Sequence, residues 1–168
     1  VEFRDGNEPD ETFFFTYAQK RFTLPANYSL QLLGSETDAL GWQHKRYQLM
    51  VGGVPVNNGI VLLHLVNGKV KKFNGYLFKQ ITTATSPLID EQTALQIAIN
   101  SIGATQYKWQ VPEEEQFIRM ETENPNATYK PKGELFLVQK GDNESNTFCL
   151  AWRFDIYAQQ PLSRDYVF

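Results

Sequence analysis

The sequence contains few of the residues from which catalytic and metal sites are usually built. Cys149 is the only cysteine among the 168 residues, which excludes a disulfide within this chain and a cysteine zinc cluster. The two histidines, His44 and His64, are twenty residues apart, and neither lies in the His-Glu-x-x-His motif of zinc proteases. Glycine-rich phosphate loops and the Gly-x-Ser-x-Gly nucleophile motif are also missing. The sequence therefore predicts no catalytic residue, no metal site and no cofactor.

A long hydrophobic run and a basic surface are missing as well. The longest apolar stretch, GIVLLHLV at 59–66, is interrupted by His64 and is far shorter than the ~20 residues that span a bilayer. The formal net charge of -3 offers no concentrated positive charge for a nucleic acid. The first residues, VEFRDGNEPDE, are polar and do not resemble a signal peptide. We expect no membrane span and no nucleic-acid partner.

The sequence does contain enough apolar surface for a folded chain. Apolar residues make up 42% of it and aromatic residues 14%, more than a disordered chain carries. These residues recur with helical spacing in two places, and with the alternation or the length of strands in about seven others. Helices and antiparallel strands joined by short connections indicate an α+β fold.

The first half of the chain is predicted to form one helix followed by four strands. The helix is predicted in PDETFFFTYAQKRF, where one face would carry Phe14, Tyr17, Ala18 and Phe22. The strands are predicted at 28–34, 43–51, 59–66 and 69–78. Asn67-Gly68 separates the last two strands, and this pair supplies the positive φ angles of a tight hairpin turn. Residues 81–88, mostly small or hydroxylated, are predicted to form a linker.

The second half is predicted to repeat this order. A helix should begin after Asp90, whose side chain suits an N-cap, and should end at Gly103. Strands are predicted at 134–141, 147–158 and 164–168. Alternation in the middle strand places Trp152 toward the core, so Trp152→Ala is expected to cost about 3–5 kcal/mol. Cys149, in the same strand, is expected to be a small buried apolar residue.

One acidic cluster has to be considered as a possible carboxylate pair for catalysis. It comprises Glu113, Glu114 and Glu115, directly after Pro112. Carboxylates are rarely buried or perturbed unless they are paired. We expect this segment to be a loop with its side chains in solvent.

The stretch ETDALGWQHKRYQLMVGGVPVNNGIVLLHLVNGKVKKFNGYLF, residues 36–78, combines several short motifs in a fixed order. A glycine precedes a histidine by three residues, and His-x-Arg-aromatic, Gly-Val-Pro-Val and Gly-Lys-Val follow, with a closing glycine. This order resembles the FTP domain, the fungalysin/thermolysin propeptide module of secreted zinc metalloproteases. The family often has Gln and Tyr where this chain has Leu49 and Val51. The matching positions are Gly41, His44, Arg46, Tyr47, Gly53, Val54, Pro55, Val56, Gly68, Lys69, Val70 and Gly75.

Residues 89–168 resemble a PepSY domain, the module that follows FTP in such propeptides. The resemblance rests on LIDEQTALQIAINSIGA as the helix and on LAWRFDIYA, which contains Trp152 and Arg153, as the central strand. Together the two resemblances imply two consecutive helix-plus-antiparallel-sheet units of the cystatin-like kind. The implied domains are FTP-like at 8–80 and PepSY-like at 89–168, joined by the linker at 81–88.

The resemblance also implies a function in which this chain is not itself an enzyme. The chain would be a prodomain that inhibits a secreted, thermolysin-like or fungalysin-like zinc metalloprotease encoded downstream. It would also assist the folding of that protease as an intramolecular chaperone within the zymogen. Its partner would be the protease catalytic domain, and its location would be extracellular. Two alternatives stay open. A stand-alone secreted module that binds a peptide or protein by strand addition would have the same sequence pattern. A glycoside hydrolase would need a pair of carboxylates, and no pair here singles itself out.

His44 and Arg46 admit two interpretations. As a functional pair, they would lie on the partner-facing side of the sheet. As a structural pair, they would lie on the face opposite Tyr47 and Leu49, because successive strand residues point to opposite sides, and they would hydrogen-bond across strands. We favour the structural interpretation, in which HKRYQLMVGGVPV is above all the entrance to a hairpin.

Overall fold

The computed structural model describes residues 1–4, 6–78, 80–141 and 147–168. Three α-helices lie among these residues: α1 (Glu11–Phe22), α2 (Glu91–Ile102) and α3 (Pro112–Glu121). The described strands are β1 (Tyr28–Thr37), β2 (Gln43–Val51), β3 (Val54–Val66), β4 (Lys69–Gly75), β5 (Gln106–Tyr107), β6 (Glu134–Gln139), β7 (Phe148–Gln160) and β8 (Leu162–Val167). The predicted α+β class is confirmed. None of the described helices is long and apolar enough to cross a membrane.

Two sets of residues make most of their contacts among themselves. The first unit comprises Val1–Thr85 and Leu137–Leu150, and the second unit comprises Ser86–Phe136 and Ala151–Phe168. The domain limits 8–80, 81–88 and 89–168 and the cystatin-like character of the units stay predictions.

The first unit is an antiparallel sheet that α1 covers on one face. β1 pairs with β2, β2 with β3 and β3 with β4, each antiparallel, and Val56 of β3 makes a parallel bridge to Leu137 of β6. Phe14 of α1 stands edge-on to Phe73 of β4, with 5.1 Å between the ring centroids. The buried cluster between helix and sheet consists of Phe14, Ala18, Val61, Leu63, Leu65, Val70 and Phe73.

The predicted strand limits in this unit are partly wrong. β2 matches its prediction, but β3 begins at Val54 instead of Gly59, and β4 ends at Gly75 instead of Phe78. Val54 and Val56 are buried and belong to the strand, because the turn that precedes them is Gly52-Gly53 alone. The predicted Asn67-Gly68 turn is confirmed, with φ angles of 49° and 75°.

The second unit forms around α2 and the C-terminal part of β7. The Asp90 side chain accepts a hydrogen bond of 2.7 Å from the backbone N–H of Thr93, and Gly103 ends the helix in the left-handed conformation. Both helix limits thus follow the prediction. β7 pairs antiparallel with β8 and with the short β5. The core of the second unit consists of Ala94, Ala98, Tyr107, Phe154, Ile156 and Ala158.

The loop predicted for Glu113–Glu115 is wrong, because these residues form the first turn of α3. Pro112 at the first helical position and acids in the first turn are what a helix N-terminus favours. Glu115 holds the segment that follows the helix: its Oε1 accepts a hydrogen bond of 2.8 Å from the backbone N–H of Tyr129. The cluster is therefore structural in part and not simply solvated.

Candidate functional site

Strand β2 separates the residues of the predicted motif between its two faces. Leu49 and Val51 are buried. Tyr47 packs against the core cluster that contains Phe14 of α1. His44 and Arg46 lie on the opposite face, as the alternation predicts. Arg46 is exposed and stands level with Leu62 of β3.

The outer face of the sheet carries a row of polar residues on four neighbouring strands. The strand register aligns Glu36 of β1 with His44 of β2, His44 with His64 of β3, and His64 with Lys72 of β4. His44 and His64 are therefore direct cross-strand neighbours, although the sequence separates them by twenty residues. We call these two side chains the histidine pair.

The histidine pair is joined through a short contact between its rings. Nδ1 of His44 lies 2.7 Å from Nδ1 of His64, and the ring planes are inclined at 73°. A distance this short requires one nitrogen to donate a proton and the other to accept it. The structure thus brings together two residues that the sequence analysis considered separately.

Two further side chains occupy the outer nitrogens of the rings. Nε2 of His44 lies 3.2 Å from Oδ2 of Asp38, which as a carboxylate can only accept, so this nitrogen carries a proton. Nδ1 of His44 is then the acceptor for Nδ1–H of His64 in the neutral pair. Nε2 of His64 accepts from the side-chain amide of Asn74 at 3.1 Å. The four residues form one hydrogen-bonded chain in which every ring nitrogen has a partner.

Asp38 also shapes the turn between β1 and β2. Its Oδ1 accepts hydrogen bonds of 2.9 Å from the backbone N–H groups of Leu40 and Trp42. The Trp42 N–H and the contact with His44 hold the pKa of Asp38 below its usual value. Gly41 completes this turn with a φ of 79°. The sequence analysis missed Asp38 and Asn74, because only the strand register shows that they flank the histidine pair.

The electrostatic surroundings of His64 favour its neutral form. Partial burial lowers its pKa below the ordinary value, and the positive charges available on His44 and Lys72 lower it further. Because the unfolded chain then binds more protons than the folded one, His64 favours folding at neutral pH. This contribution is lost as the pH falls below about 6.5.

The inner face of β2 fastens helix α1 to the sheet through Glu11. Its carboxylate accepts hydrogen bonds of 2.6 Å from the Lys45 ammonium and from the Tyr47 hydroxyl. Burial and the Glu11 charge raise the pKa of Tyr47. Burial alone would raise the pKa of Glu11, but the bonds from Lys45 and Tyr47 lower it. Tyr47 thus has a structural role in this unit.

The hairpin after β2 depends on Gln48, another residue that the sequence analysis did not single out. Its side-chain amide donates to the backbone carbonyls of Val56 at 2.7 Å and Gly59 at 3.2 Å. These bonds lie beside the irregularity in the β2–β3 register between Gln48 and Met50. Pro55, opposite Met50, is half-buried.

The glycines of the motif differ in how closely other atoms surround them. Gly53, with a φ of 81°, and Gly68 have no atom within 4 Å of where a Cβ would stand. At Gly75, with a φ of 129°, a Cβ would lie 2.0 Å from the carbonyl oxygen of Ile60. Gly75 is therefore required by the close approach of two strands, whereas the others serve turns.

The two motif residues of the second unit make structural contacts. The Trp152 indole N–H donates to the carbonyl of Ile89 at 3.0 Å, and its ring packs against the core of the unit. Arg153 pairs with Glu134 and stacks over the Phe136 ring, 4.0 Å from its centroid. Trp152 is half-buried, so its predicted direction is right, but its burial is incomplete. Cys149 is also only half-buried, contrary to prediction, and its thiol lies 3.6 Å from the Val138 carbonyl.

Trp152→Ala is now expected to cost less than a fully buried tryptophan would. A loss of about 1.5–3 kcal/mol is expected, since part of the ring is in solvent and leaves a shallower cavity. Trp152→Phe keeps most of the packing and removes only the hydrogen bond, at a cost of about 1 kcal/mol. Urea denaturation of both variants checks this order, and equal losses would contradict it.

Zinc is expected not to bind tightly to this chain. Among residues 1–4, 6–78, 80–141 and 147–168, no three side chains of the metal-binding types come together. The histidine pair offers two imidazoles whose nitrogens are already engaged, whereas protein zinc sites use three or four protein ligands. Metal analysis after dialysis against zinc measures the content per chain. One zinc that is retained, and that His64→Gln removes, would contradict the expectation.

Comparison with known proteins finds a family match and similar proteins for part of the first unit. Residues 28–77 match the family described as Fungalysin/Thermolysin Propeptide Motif. Bacillolysin of Bacillus subtilis (strain 168) is 38% identical over 77 residues, which cover 44% of this chain and 15% of that protein. Bacillolysin of Bacillus amyloliquefaciens is 36% identical over the same length and share. The chain therefore matches a small part of these relatives, about one seventh of their length.

The PepSY resemblance of residues 89–168 stays a prediction, because the matched residues 28–77 lie outside them. The resemblance of the first unit to the propeptides of thermolysin-like proteases is confirmed. Residues 28–77 of this chain match the fungalysin/thermolysin propeptide motif and are similar to part of bacillolysin.

Proposed function

We propose that this chain is the prodomain of a secreted thermolysin-like zinc metalloprotease, and that it inhibits the catalytic domain and assists its folding. The observation that carries the proposal is the propeptide motif at 28–77, together with the similarity to two bacillolysins. The catalytic zinc site would belong to the downstream protease domain and not to this chain.

A prodomain acts by binding only the native state of its protease. Such binding stabilises the native state by mass action, which accounts for assisted folding and for inhibition by the same surface. A standard protein interface takes ~800 Å² from each partner, and a unit of this size can supply that area. The sheet of the first unit has an outer face with exposed and half-buried polar groups, which is available for such a contact.

The second unit is proposed to be the PepSY-like part of the prodomain. The helix α2, with its Asp90 cap, and the alternating strand β7 correspond in order to the segments that carry the resemblance. The division into domains 8–80 and 89–168 with a linker at 81–88 belongs to the same proposal, as does the extracellular location.

The test is inhibition in trans. This chain, added to the mature cognate protease, is expected to inhibit it, because the folded surface supplies most of the contact. Losing the covalent tether removes an effective concentration of about millimolar order, so inhibition should be weaker than within the precursor. An extended form that continues past Phe168 through the junction should inhibit more tightly. The measurement is the inhibition constant of each form.

A pair of matched variants tests whether inhibition requires the folded surface of the first unit. Gly75→Ala, whose added Cβ would clash with the backbone of Ile60 and strongly destabilise the first unit, should weaken inhibition, whereas Gly68→Ala should retain it. If only the extended form inhibits, the junction is the inhibitor and the folded units act chiefly as a chaperone. If neither form inhibits or assists refolding, the prodomain proposal is wrong.

A stand-alone binding module is the second candidate, and the position of β1 favours it. β1 is the first strand in the sheet order, and in the part of the chain that the structure describes only β2 pairs with it. A free strand edge can accept an extended peptide by strand addition. The reading frame downstream distinguishes the two candidates: a His-Glu-x-x-His protease encoded after this segment supports the prodomain.

A further inference from the structure

The hydrogen bonds of the histidine pair, on the outer face of the first unit, determine which ring nitrogens carry a proton. In the neutral pair, the chain of bonds runs from Asn74 to His64, from His64 to His44 and from His44 to Asp38. Each bond has one donor and one acceptor, so the neutral pair is fully satisfied. One proton lies between the two Nδ1 atoms.

A first added proton can enter this arrangement without breaking it. If His44 takes it, its Nε2–H still donates to the Asp38 carboxylate and its Nδ1–H donates to His64. The proton of His64 then moves to Nε2, where the Asn74 side chain can present its oxygen instead of its nitrogen. The contact of 2.7 Å between the rings is retained.

A second proton cannot be accommodated in the same way. Both rings are then imidazolium and both Nδ1 atoms carry hydrogen, so two N–H groups would point at each other across 2.7 Å. The two positive charges also repel, and the rings have to separate. Two coupled groups of this kind titrate in two steps that belong to the pair, not to either residue.

The charged groups around the pair act on both steps. From β1 and its turn, the carboxylates of Glu36 and Asp38 stand beside His44. From β4, Lys72 stands beside His64 and opposes a second positive charge. Arg46, two residues along β2 on the same face, adds further positive charge. The N-terminal segment contributes Glu2, whose carboxylate lies 4.0 Å from the Lys72 ammonium.

We propose that the histidine pair is a proton-operated switch in the first unit. It holds β2 and β3 together through one N–H···N bond when it is neutral or singly protonated, and it opens when it takes the second proton. The hydrogen-bond geometry of the pair carries this inference, which does not depend on the proposed prodomain function.

The composition of the chain makes the protonation of the histidine pair easy to distinguish from that of other groups. His44 and His64 are the only histidines in the sequence. Between pH 7 and pH 5 few other groups change their charge, because carboxylates ordinarily titrate near pH 4 and the N-terminal amine near pH 8. A change of stability in this interval therefore reports the histidines.

The first experiment is urea denaturation of the 168-residue chain at several pH values between 7 and 5. The unfolding equilibrium constant is expected to rise as the pH falls, by up to tenfold per pH unit, the limit for one proton. His44→Gln/His64→Gln, which has no titrating group at the pair, should show a flat profile. Equal profiles for the two proteins would overturn the proposal.

A second experiment uses the unmodified chain and does not depend on the folding of a variant. Nitrogen-15 NMR of the imidazole rings at pH 7.5 should show His44 protonated at Nε2 and His64 at Nδ1, with a coupling between the two Nδ1 atoms. This coupling should persist through the first protonation step and disappear in the second. Two rings that titrate independently with the same tautomer would show that no switch exists.

Discussion

Gly75→Ala is expected to destabilise the first unit by more than about 4 kcal/mol, a loss that only a few mechanisms produce. The added Cβ would stand 2.0 Å from the carbonyl oxygen of Ile60 and 2.9 Å from the Cα of Val61, so backbone and not a flexible side chain would have to move. The φ of 129° at this position adds strain for any residue with a side chain. Urea denaturation followed by circular dichroism measures the loss.

Gly68→Ala is the matched control, because Gly68 lies in the turn that directly precedes the same strand, β4. Gly68 also has a positive φ, of 75°, but nothing stands within 4 Å of its added Cβ. Its cost should be about 1–2 kcal/mol, the strain of the left-handed conformation alone. Similar losses for the two variants would show that the clash with Ile60 is relieved at little cost.

Phe14→Ala is expected to cost about 3–5 kcal/mol, the range for removing a large aromatic side chain from a core. Phe14 is 1% exposed and packs edge-on against Phe73, so its removal leaves a cavity between α1 and the sheet. Among the residues that the structure describes, α1 is the only helix that contributes to the core cluster of the first unit, so the surroundings cannot readily collapse into that space. The free energy of unfolding from urea titration checks the value.

Phe13→Ala is the control for this variant. Phe13 precedes Phe14 in the same helix but is 63% exposed, so its replacement should change the stability by less than about 0.5 kcal/mol. The difference between the two variants isolates burial from helix propensity. A comparable loss of stability for Phe13→Ala would contradict the expectation, because it would mean that the Phe13 side chain is buried in solution.

Local patterns were sufficient where neighbouring residues decide the structure. The spacing of apolar residues predicted α1 and α2, the Asp90 side chain and Gly103 marked the limits of α2, and Asn67-Gly68 marked a hairpin. The error at Glu113–Glu115 has a local cause too. Pro112 followed by acids is a helix start, and the polarity of the segment was taken instead as the sign of a loop.

The α+β class, the helices α1 and α2 and the resemblance to a protease propeptide all follow from local patterns in the sequence. Which side chains meet depends on the pairing of strands that are distant along the chain. His44 faces His64 because β2 and β3 pair in one register, and a shift by a single residue would turn one of them to the other face. Asp38 and Asn74 join them from a turn and from a third strand, at distances along the chain that no local pattern encodes. The strand register is set by the burial of Leu63, Leu65 and their neighbours under α1. The core on one face of the sheet therefore places His44 opposite His64 on the other face.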